Sequence, residues 1–257
     1  MLDRLRQAGF DIETRNHAEA ILSHDFPGAL AELVGALEGY RISLRELIGG
    51  GGGESGQTQR LRRSLHDLQW RKHNFLVQTI VDGTPREGIS HEIDHVRRTA
   101  KGVLALEIEW NNKDPFFDRD LENFQRLHAI SAISIGIVVT RGRSMQNALM
   151  DRVTGWMQAN GLRSEDDLER LGISARTPAQ RKAVAGQVAR GAEFSDAFAR
   201  KFVADKFGQA TTHWAKLEDR VHRGVGNPCP LLLIGLPDSL LSDEELPAAP
   251  DLFSGDA

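Results

Sequence analysis

The stretch Val103–Trp110 constrains this chain most, because its six apolar residues surround two carboxylates, Glu107 and Glu109. An apolar run of this length, followed by Asn111 and Asn112, predicts a buried strand. Side chains alternate faces along a strand, so the two glutamates are expected to point the same way. Two carboxylates on one face of a core strand are costly unless a cation neutralises them. Hard oxygen ligands of this kind suit Mg²⁺, Mn²⁺ or Ca²⁺.

The pattern around this strand predicts a sheet with helices on its faces. Apolar segments at 75–81 and 89–96, separated by a turn signal, precede the central strand and predict an antiparallel meander. A helical pattern over 116–128 then leads to a buried strand at 132–140, which predicts a crossover with parallel pairing. The expected fold class is therefore α/β, a central mixed β-sheet flanked by helices, with a largely helical insertion near 144–207.

Weaker patterns mark the remaining segments. An early strand is expected at 10–14 or 18–22, loose alternation over 40–47 favours another strand, and 231–236 reads as a last apolar strand. Gly49–Gly53 is a run of five glycines. It lacks the Gly-Lys-Ser/Thr ending of a phosphate-binding loop and predicts a flexible loop instead.

Length and composition indicate one domain in a soluble protein. At 257 residues the chain can bury a substantial core, which we assign to a single domain over 1–236. Cys229 is the only cysteine, so an intrachain disulfide and a cysteine-rich zinc site are excluded. No apolar stretch approaches transmembrane length and the start lacks a signal-peptide core. We expect a cytoplasmic protein with no membrane partner.

Charge is unevenly distributed along the chain. The net charge of −4 does not by itself suggest a nucleic-acid binder. Residues 141–236, however, carry 15 Lys and Arg against 10 Asp and Glu, and binding responds to local potential rather than to total charge. Residues 237–257 carry six acids and no base, and this acidic tail is expected to be disordered.

A third carboxylate, Asp94, precedes the central strand. If 89–96 is a strand, Glu92 and Asp94 share one face and Ile93 and His95 the other. A hairpin would then bring Asp94 opposite the two glutamates. Three carboxylates around one cation suit metal-assisted phosphodiester hydrolysis, because the cation polarises the phosphate and lowers the pKa of a bound water.

Two alternatives remain open at this point. The segment from His91 to His95 also matches the H-E-x-x-H pattern of zinc proteases, which requires a helix to place both histidines on one face. In the second alternative, the carboxylates have only a structural role and the protein binds DNA or assembles without cutting DNA.

Several segments resemble the type II restriction endonucleases of the BglII and BamHI group, in the PD-(D/E)XK nuclease superfamily. The segments that carry the resemblance are Ser90–Asp94, Leu106–Asp114, Phe117–Phe124, Ile133–Arg141, Thr211–Trp214 and Pro228–Leu232. The resemblance implies a restriction-endonuclease-like fold and a homodimer that cuts double-stranded DNA at a short palindrome. It also implies dependence on Mg²⁺, with Mn²⁺ as a substitute and Ca²⁺ as an ion that binds without turnover.

The same resemblance assigns roles to individual residues. Carried over by position, Asp94 and Glu107 are metal ligands. Glu109 takes the place of the superfamily's usual lysine and is the expected water-orienting base. A further upstream group, Asn74 or Gln78, is left open.

Sequence readout in this group comes from loops and helix ends, and DNA-recognition elements are expected within 141–223. Arginine pairs with guanine and amide side chains pair with adenine in the major groove. The candidate DNA-binding residues are Arg141, Arg143, Ser144, Gln146, Asn147, Thr211, Thr212 and His213.

Overall fold

The computed structural model describes residues 1–50, 56–174 and 176–246. The strands are β1 (Asp11–Arg15), β2 (Ile42–Ser43), β3 (Arg71–Val81), β4 (Thr84–Thr99), β5 (Gly102–Glu109), β6 (Ile135–Arg141), β7 (Leu231–Leu236) and β8 (Leu241–Ser242). The α-helices are α1 (Leu2–Gln7), α2 (Ala18–Asp25), α3 (Pro27–Glu38), α4 (Leu44–Gly49), α5 (Gly56–Asp67), α6 (Phe116–Ala129), α7 (Arg143–Ala159), α8 (Glu165–Arg170), α9 (Pro178–Val188), α10 (Phe194–Phe207) and α11 (Trp214–His222).

Six strands form one mixed sheet in the order β1-β7-β6-β5-β4-β3, and β2 pairs with β8 in a separate parallel pair. Strands β5, β6 and β7 run parallel. β1 pairs antiparallel with β7, β4 pairs antiparallel with β5, and β3 pairs antiparallel with β4. The predicted α/β class with a central mixed sheet is confirmed. Helices α7 to α10 occupy the predicted helical insertion near 144–207.

The predicted meander is β3-β4-β5. Asp82 and Gly83 join β3 to β4 with φ angles of 51° and 78°, the left-handed conformation that a tight hairpin turn needs at both central positions. Pairing between β4 and β5 ends at His95 and Leu106, and β4 continues outward beside β3 alone. The hairpin is therefore longer than the sheet that supports it.

Strand β5 separates two hydrophobic cores. Leu106 and Ile108 pack into the larger one, and Ala105 packs with Phe117 and Phe124 of α6 into the other. Glu107 and Glu109 alternate with Ile108, so they lie on the α6 side of the sheet.

Of the two positions left open for the early strand, 10–14 corresponds to β1, because 18–22 lies in α2. Two other sequence predictions change in the structure. Residues 40–47 form the short β2 and the helix α4 rather than one strand. The acidic tail is ordered at its beginning, since Leu240 and Leu241 are buried in the larger core and β8 pairs with β2. The glycines at 51–53 and residues 247–257 lie outside the described residues, and so do the predictions made for them.

No helix in the described part of the chain is both long and apolar enough to cross a membrane.

Candidate active site

Glu107 and Glu109 lie near the carboxyl end of β5 and are almost completely buried. Their exposed fractions are 4% and 3%. Their partners on β6 are Val138 and Thr140, and the Thr140 hydroxyl donates a hydrogen bond to the backbone carbonyl of Glu109 at 2.7 Å. The sheet therefore fixes the backbone of both glutamates.

Asp94 lies beside Glu107, where the β4–β5 pairing ends. The backbone N–H of Asp94 donates a hydrogen bond to the Glu107 carboxylate, which places the two acids side by side. The half-buried Asp94 carboxylate lies 3.6 Å from a guanidinium nitrogen of Arg62 on α5. The structure thus brings the three predicted carboxylates to one place.

A bulge in β4 spans Asp94 and His95. Arg71 pairs with Val96 and His73 pairs with Ile93, so one residue of β3 faces two residues of β4. Ile93 therefore packs into the α6-side core with Val96, while His95 lines a cavity with Ile108 on the opposite side. The prediction that Ile93 and His95 share a face is wrong, because the bulge interrupts the alternation.

Asp120 is a fourth carboxylate, which sequence reasoning did not assign. It lies on α6, is fully buried and shares a hydrogen bond with Glu109. Arg119 contacts it through Nε at 2.8 Å and lies 3.5 Å from Glu109. The available signal was an acid within the apolar face of a helix, since Asp120 is flanked there by Phe117, Leu121 and Phe124.

Three of the four carboxylates, Glu107, Glu109 and Asp120, have raised pKa values. Burial raises the pKa of Glu107 well above its ordinary value, and the charges of Asp120 and Asp94 raise it further. Burial and Asp120 together raise the pKa of Glu109 to about 9, although Asn112 donates a hydrogen bond to it at 2.7 Å. The pKa of Asp120 is also raised, chiefly by burial. Without a cation, burial and mutual repulsion favour the protonated forms of Glu107, Glu109 and Asp120.

The chemistry of the donor set is that of a divalent-cation site, although no three of these acids place ligand atoms within 4.8 Å of one another in the described residues. The set consists of carboxylate oxygens, and Oδ2 of Asp120 is buried without a hydrogen-bonding partner among the described residues. Arg62 and Arg119 are the cationic side chains that pair with these acids in the described residues, and Arg119 is half exposed. A cation bound here would relieve the repulsion that raises the pKa values.

A separate cluster of two glutamates and one histidine lies between β1 and α11. Glu13, Glu218 and His222 offer ligand atoms within 4.8 Å of one another, and they are the one such group of three that the described residues contain. Arg15 and Arg143 already form ion pairs with its two glutamates. This cluster was not predicted from the sequence, and its charges are balanced without an ion.

A cavity of about 350 Å³ adjoins Asp94. Gln57 of α5 lines it, is 1% exposed, and has no hydrogen-bonding partner for its Oε1 among the described residues. Burial lowers the pKa of His95, another lining residue, to about 4. The two upstream candidates lie elsewhere: Asn74 and Gln78 are exposed on β3, and Asn74 accepts a hydrogen bond from Ser90.

Arg141 lies inside the protein. Its guanidinium donates to Oγ1 of Thr211 at 2.7 Å and to the carbonyl of Thr212 at 2.5 Å, and it lies 4.8 Å from the ring centre of Phe207. Burial lowers its pKa to about 9. Full burial removes Arg141 from the side chains that can reach DNA in this conformation.

The other candidate DNA-binding residues differ in accessibility. Thr212 and His213 are buried, and Thr211 and Gln146 are half-buried and hydrogen-bonded to Gly208 and Phe207. Three candidates are exposed at the start of α7, namely Arg143, Ser144 and Asn147. Arg143 is held by Asp11 and Glu218, and Ser144 accepts a hydrogen bond from the backbone of Asp238.

The zinc-protease alternative is wrong. His91 and His95 lie on β4 rather than on a helix. Four residues of extended chain separate their Cα atoms by about 13 Å. Nδ1 of His91 instead lies 2.7 Å from Oδ1 of Asn123 on α6, on the opposite side of β4 from the cavity that His95 lines.

Cys229 is not a nucleophile in this structure. Its side chain is fully buried, and burial raises the pKa of its thiol to about 12.

A mixed sheet with buried acids at the carboxyl end of its central strand is the arrangement found in nucleases with a restriction-endonuclease-like fold. The family model described as restriction endonuclease BglII/BglIII matches residues 10–236. The chain therefore belongs to this family, and it is a type II site-specific deoxyribonuclease. No individual protein of curated function matches the chain in sequence.

Proposed function

We propose that this nuclease hydrolyses both strands of a palindromic DNA site in a Mg²⁺-dependent reaction, acting as a homodimer. The observation that carries the proposal is the group of four carboxylates, three of which are buried and have raised pKa values. Such a group is stable in its charged form only beside a cation. Asp94 and Glu107 are the proposed ligands of that cation.

Bound Mg²⁺ polarises a phosphate oxygen and lowers the pKa of a water molecule. The proposed task of Glu109 is to orient the attacking water and accept its proton. Asn112 holds one oxygen of Glu109 at 2.7 Å, and Asp120 shares a hydrogen bond with the same carboxyl group. The orientation of the Glu109 carboxyl group is therefore fixed before a phosphate binds. A group of fixed orientation is what a lysine at this position would otherwise provide.

We further propose Gln57 as the upstream amide of the site. It lines the cavity next to Asp94, and its unpartnered Oε1 is available to accept a hydrogen bond from a water molecule in the site. Asn74 and Gln78 lie on the outer part of the hairpin and are exposed, so they are the less suitable choices.

The proposed sequence readout uses Arg143, Ser144 and Asn147. These residues lie in the first turns of α7, which follows the carboxyl end of β6. Arg143 contacts Asp11 of β1, and Asp11 lies at the same end of the sheet as Glu109. Three strand spacings separate β5 from β1, about 14 Å, which is comparable with the ~12 Å width of the major groove. One duplex can therefore contact the acids and α7 together.

Digestion of plasmid DNA tests the proposal. We expect the native protein to produce discrete fragments in Mg²⁺ and no cutting in EDTA. With Glu107→Gln we expect the cleavage rate to fall by at least about 10²-fold. Glu92→Gln is the matched control, because Glu92 is an exposed acid on β4 that pairs with Lys72. Intact plasmid with the native protein in Mg²⁺ would contradict the proposal, and so would cutting that survives Glu107→Gln.

A further inference from the structure

The outer half of the β3–β4 hairpin, residues 76–90, forms an arm in which Val77 packs partly against the smaller core, while the other side chains that the structure describes are exposed. His91 is 5% exposed and anchors the base of the arm through Asn123 of α6. Beyond it, every side chain that the structure describes from Gln78 to Ser90 is exposed. Six residues of extended chain from Thr84 to Ile89 correspond to about 20 Å.

The arm carries large aliphatic side chains in contact with solvent. Leu76 is 66% exposed, Ile80 61%, Ile89 45% and Val81 44%. Leu76 and Ile80 share one face of the arm by alternation along β3, and Ile89 shares the other face with Val81 because it pairs with Val77. A two-stranded ribbon with apolar residues on both faces is marginally stable by itself, so these residues indicate a contact surface.

The charge of the arm favours a protein partner over DNA. Residues 76–90 contain one base, Arg86, and two acids, Asp82 and Glu87. Binding to the DNA backbone depends on lysine and arginine side chains that neutralise phosphates. An arm with a net negative charge and four exposed aliphatic residues lacks that chemistry.

The edges of the arm favour a second copy of the same chain. β3 is the outermost strand of the sheet, and the outer part of β4 has no pairing with β5. Both edges therefore offer unpaired backbone groups. A copy related by two-fold symmetry offers the same edges and the same aliphatic residues, so one isologous contact buries both sets together.

We propose that the arm, residues 76–90, is a contact surface through which two copies of this chain associate. This inference rests on the proposed function, in which two copies cut the two strands of a palindromic site. It adds the residues that hold the copies together.

Sedimentation of a double variant tests the inference. With Leu76→Gln and Ile80→Gln together, we expect the dimer dissociation constant of the native protein to rise at least about tenfold, because two exposed aliphatic groups no longer gain from burial. Met150→Gln with Val188→Gln is the matched control, since these aliphatic residues are 42% and 39% exposed on α7 and α9. We expect the control pair to leave the dissociation constant unchanged.

Cross-linking provides an independent readout. Cys229 is buried, so Ile80→Cys supplies one reactive thiol per chain and Val188→Cys supplies a control thiol. A flexible bis-maleimide is expected to join two chains through position 80 and not through position 188. Absence of a cross-link at position 80 would overturn the inference, as would an unchanged dissociation constant in the Leu76 and Ile80 double variant.

Two further results separate this inference from the proposed function. A double variant that remains dimeric but loses DNA binding would overturn the inference and make the arm a DNA contact. A native protein that dimerises through the arm yet leaves DNA intact in Mg²⁺ would support the inference and contradict the proposed function.

Discussion

Glu109 is the proposed base, and this proposal places a larger chemical demand on it than on any other residue of the site. It is buried beside other acids, and its carboxyl pKa is raised to about 9. A carboxyl group must be ionised before it can accept a proton, and a neighbouring cation favours the ionised form of Glu109. Loss of the cation should therefore affect stability as well as cleavage.

The first prediction concerns the stability of the metal-free protein. A pKa raised from 4.5 to about 9 means that folded Glu109 keeps a proton which the unfolded chain releases, so the free energy of unfolding falls as pH rises between these values. Glu109→Gln removes this penalty. We expect its melting temperature in EDTA to exceed that of the native protein by a few degrees at pH 9 and by little at pH 5, since ~1 kcal/mol corresponds to about 2–4 °C at this size.

Thermal unfolding at both pH values measures this difference. The control is Glu92→Gln, whose carboxylate is exposed. A Glu109→Gln difference that is the same at pH 5 and pH 9 would contradict the account.

The second prediction concerns Asp120, a positioning residue. Asp120→Asn keeps the size of the side chain but removes the charge that raises the pKa of Glu109. We expect the single-turnover cleavage rate to fall about 10–100-fold, the usual effect of a group that orients a catalytic residue. The pH profile should also move to lower pH, which a purely structural role would not cause.

Asp118→Asn is the control for this variant, because Asp118 lies on the same helix, is half-exposed and pairs with Arg220. An Asp120→Asn enzyme with the native rate and pH profile would remove Asp120 from the site.

At the scale of secondary-structure elements, the packing of α6 on the sheet decides where Asp120 lies. Gly136 of β6 lies under this helix, and a Cβ there would come within 3.1 Å of Leu231 and closer still to the ring of Phe124. Glycine is therefore required by the close approach of helix and strand. This contact positions the helix that carries Arg119 and Asp120.

The third prediction follows from this contact. Gly136→Ala is expected to lower the free energy of unfolding by about 1–3 kcal/mol through overpacking, and to slow cleavage by displacing α6. Gly155→Ala is the matched control on α7, where a Cβ meets nothing within 4 Å. There we expect a gain of about 0.5–1 kcal/mol, since alanine favours a helix over glycine. Denaturant unfolding of the two variants decides, and equal effects would contradict the packing account.

Sequence periodicity predicted the elements that alternate or repeat over many residues. The central strand, the meander and α6 are all recovered from apolar spacing alone. Over 40–47 two short elements share one loosely alternating stretch, and no single period describes both. The faces of Ile93 and His95 were wrongly predicted because the bulge depends on how β4 pairs with β3. The order of residues along β4 alone does not show this pairing.

The site was only partly predictable for a related reason. Asp94, Glu107 and Glu109 lie on adjacent strands, so alternation and a short hairpin bring them together. Asp120 joins them only through the packing of α6 onto the sheet, which the sequence does not express as a spacing. Arg141 was expected to bind DNA because it follows the end of a strand, but Thr211, Thr212 and Phe207 surround its guanidinium inside the protein.

At the scale of the whole molecule, DNA binding must overcome a net charge of −4. The fourth prediction is that binding to a duplex, measured in Ca²⁺ with the native protein, weakens steeply with salt. If about six phosphates are neutralised, affinity should fall about 10³-fold between 50 and 200 mM salt. Affinity that does not change over this range would exclude a basic contact surface in 141–236.

The central claim is that Asp94, Glu107, Glu109 and Asp120 form the active site of a site-specific nuclease. Sequencing of cleaved DNA ends tests this claim most directly. We expect the ends produced from genomic DNA by the native protein in Mg²⁺ to share one short sequence with two-fold symmetry. Glu107→Gln is expected to produce no such ends, and Glu92→Gln the native set. Ends without a common sequence, or native ends from Glu107→Gln, would contradict the account.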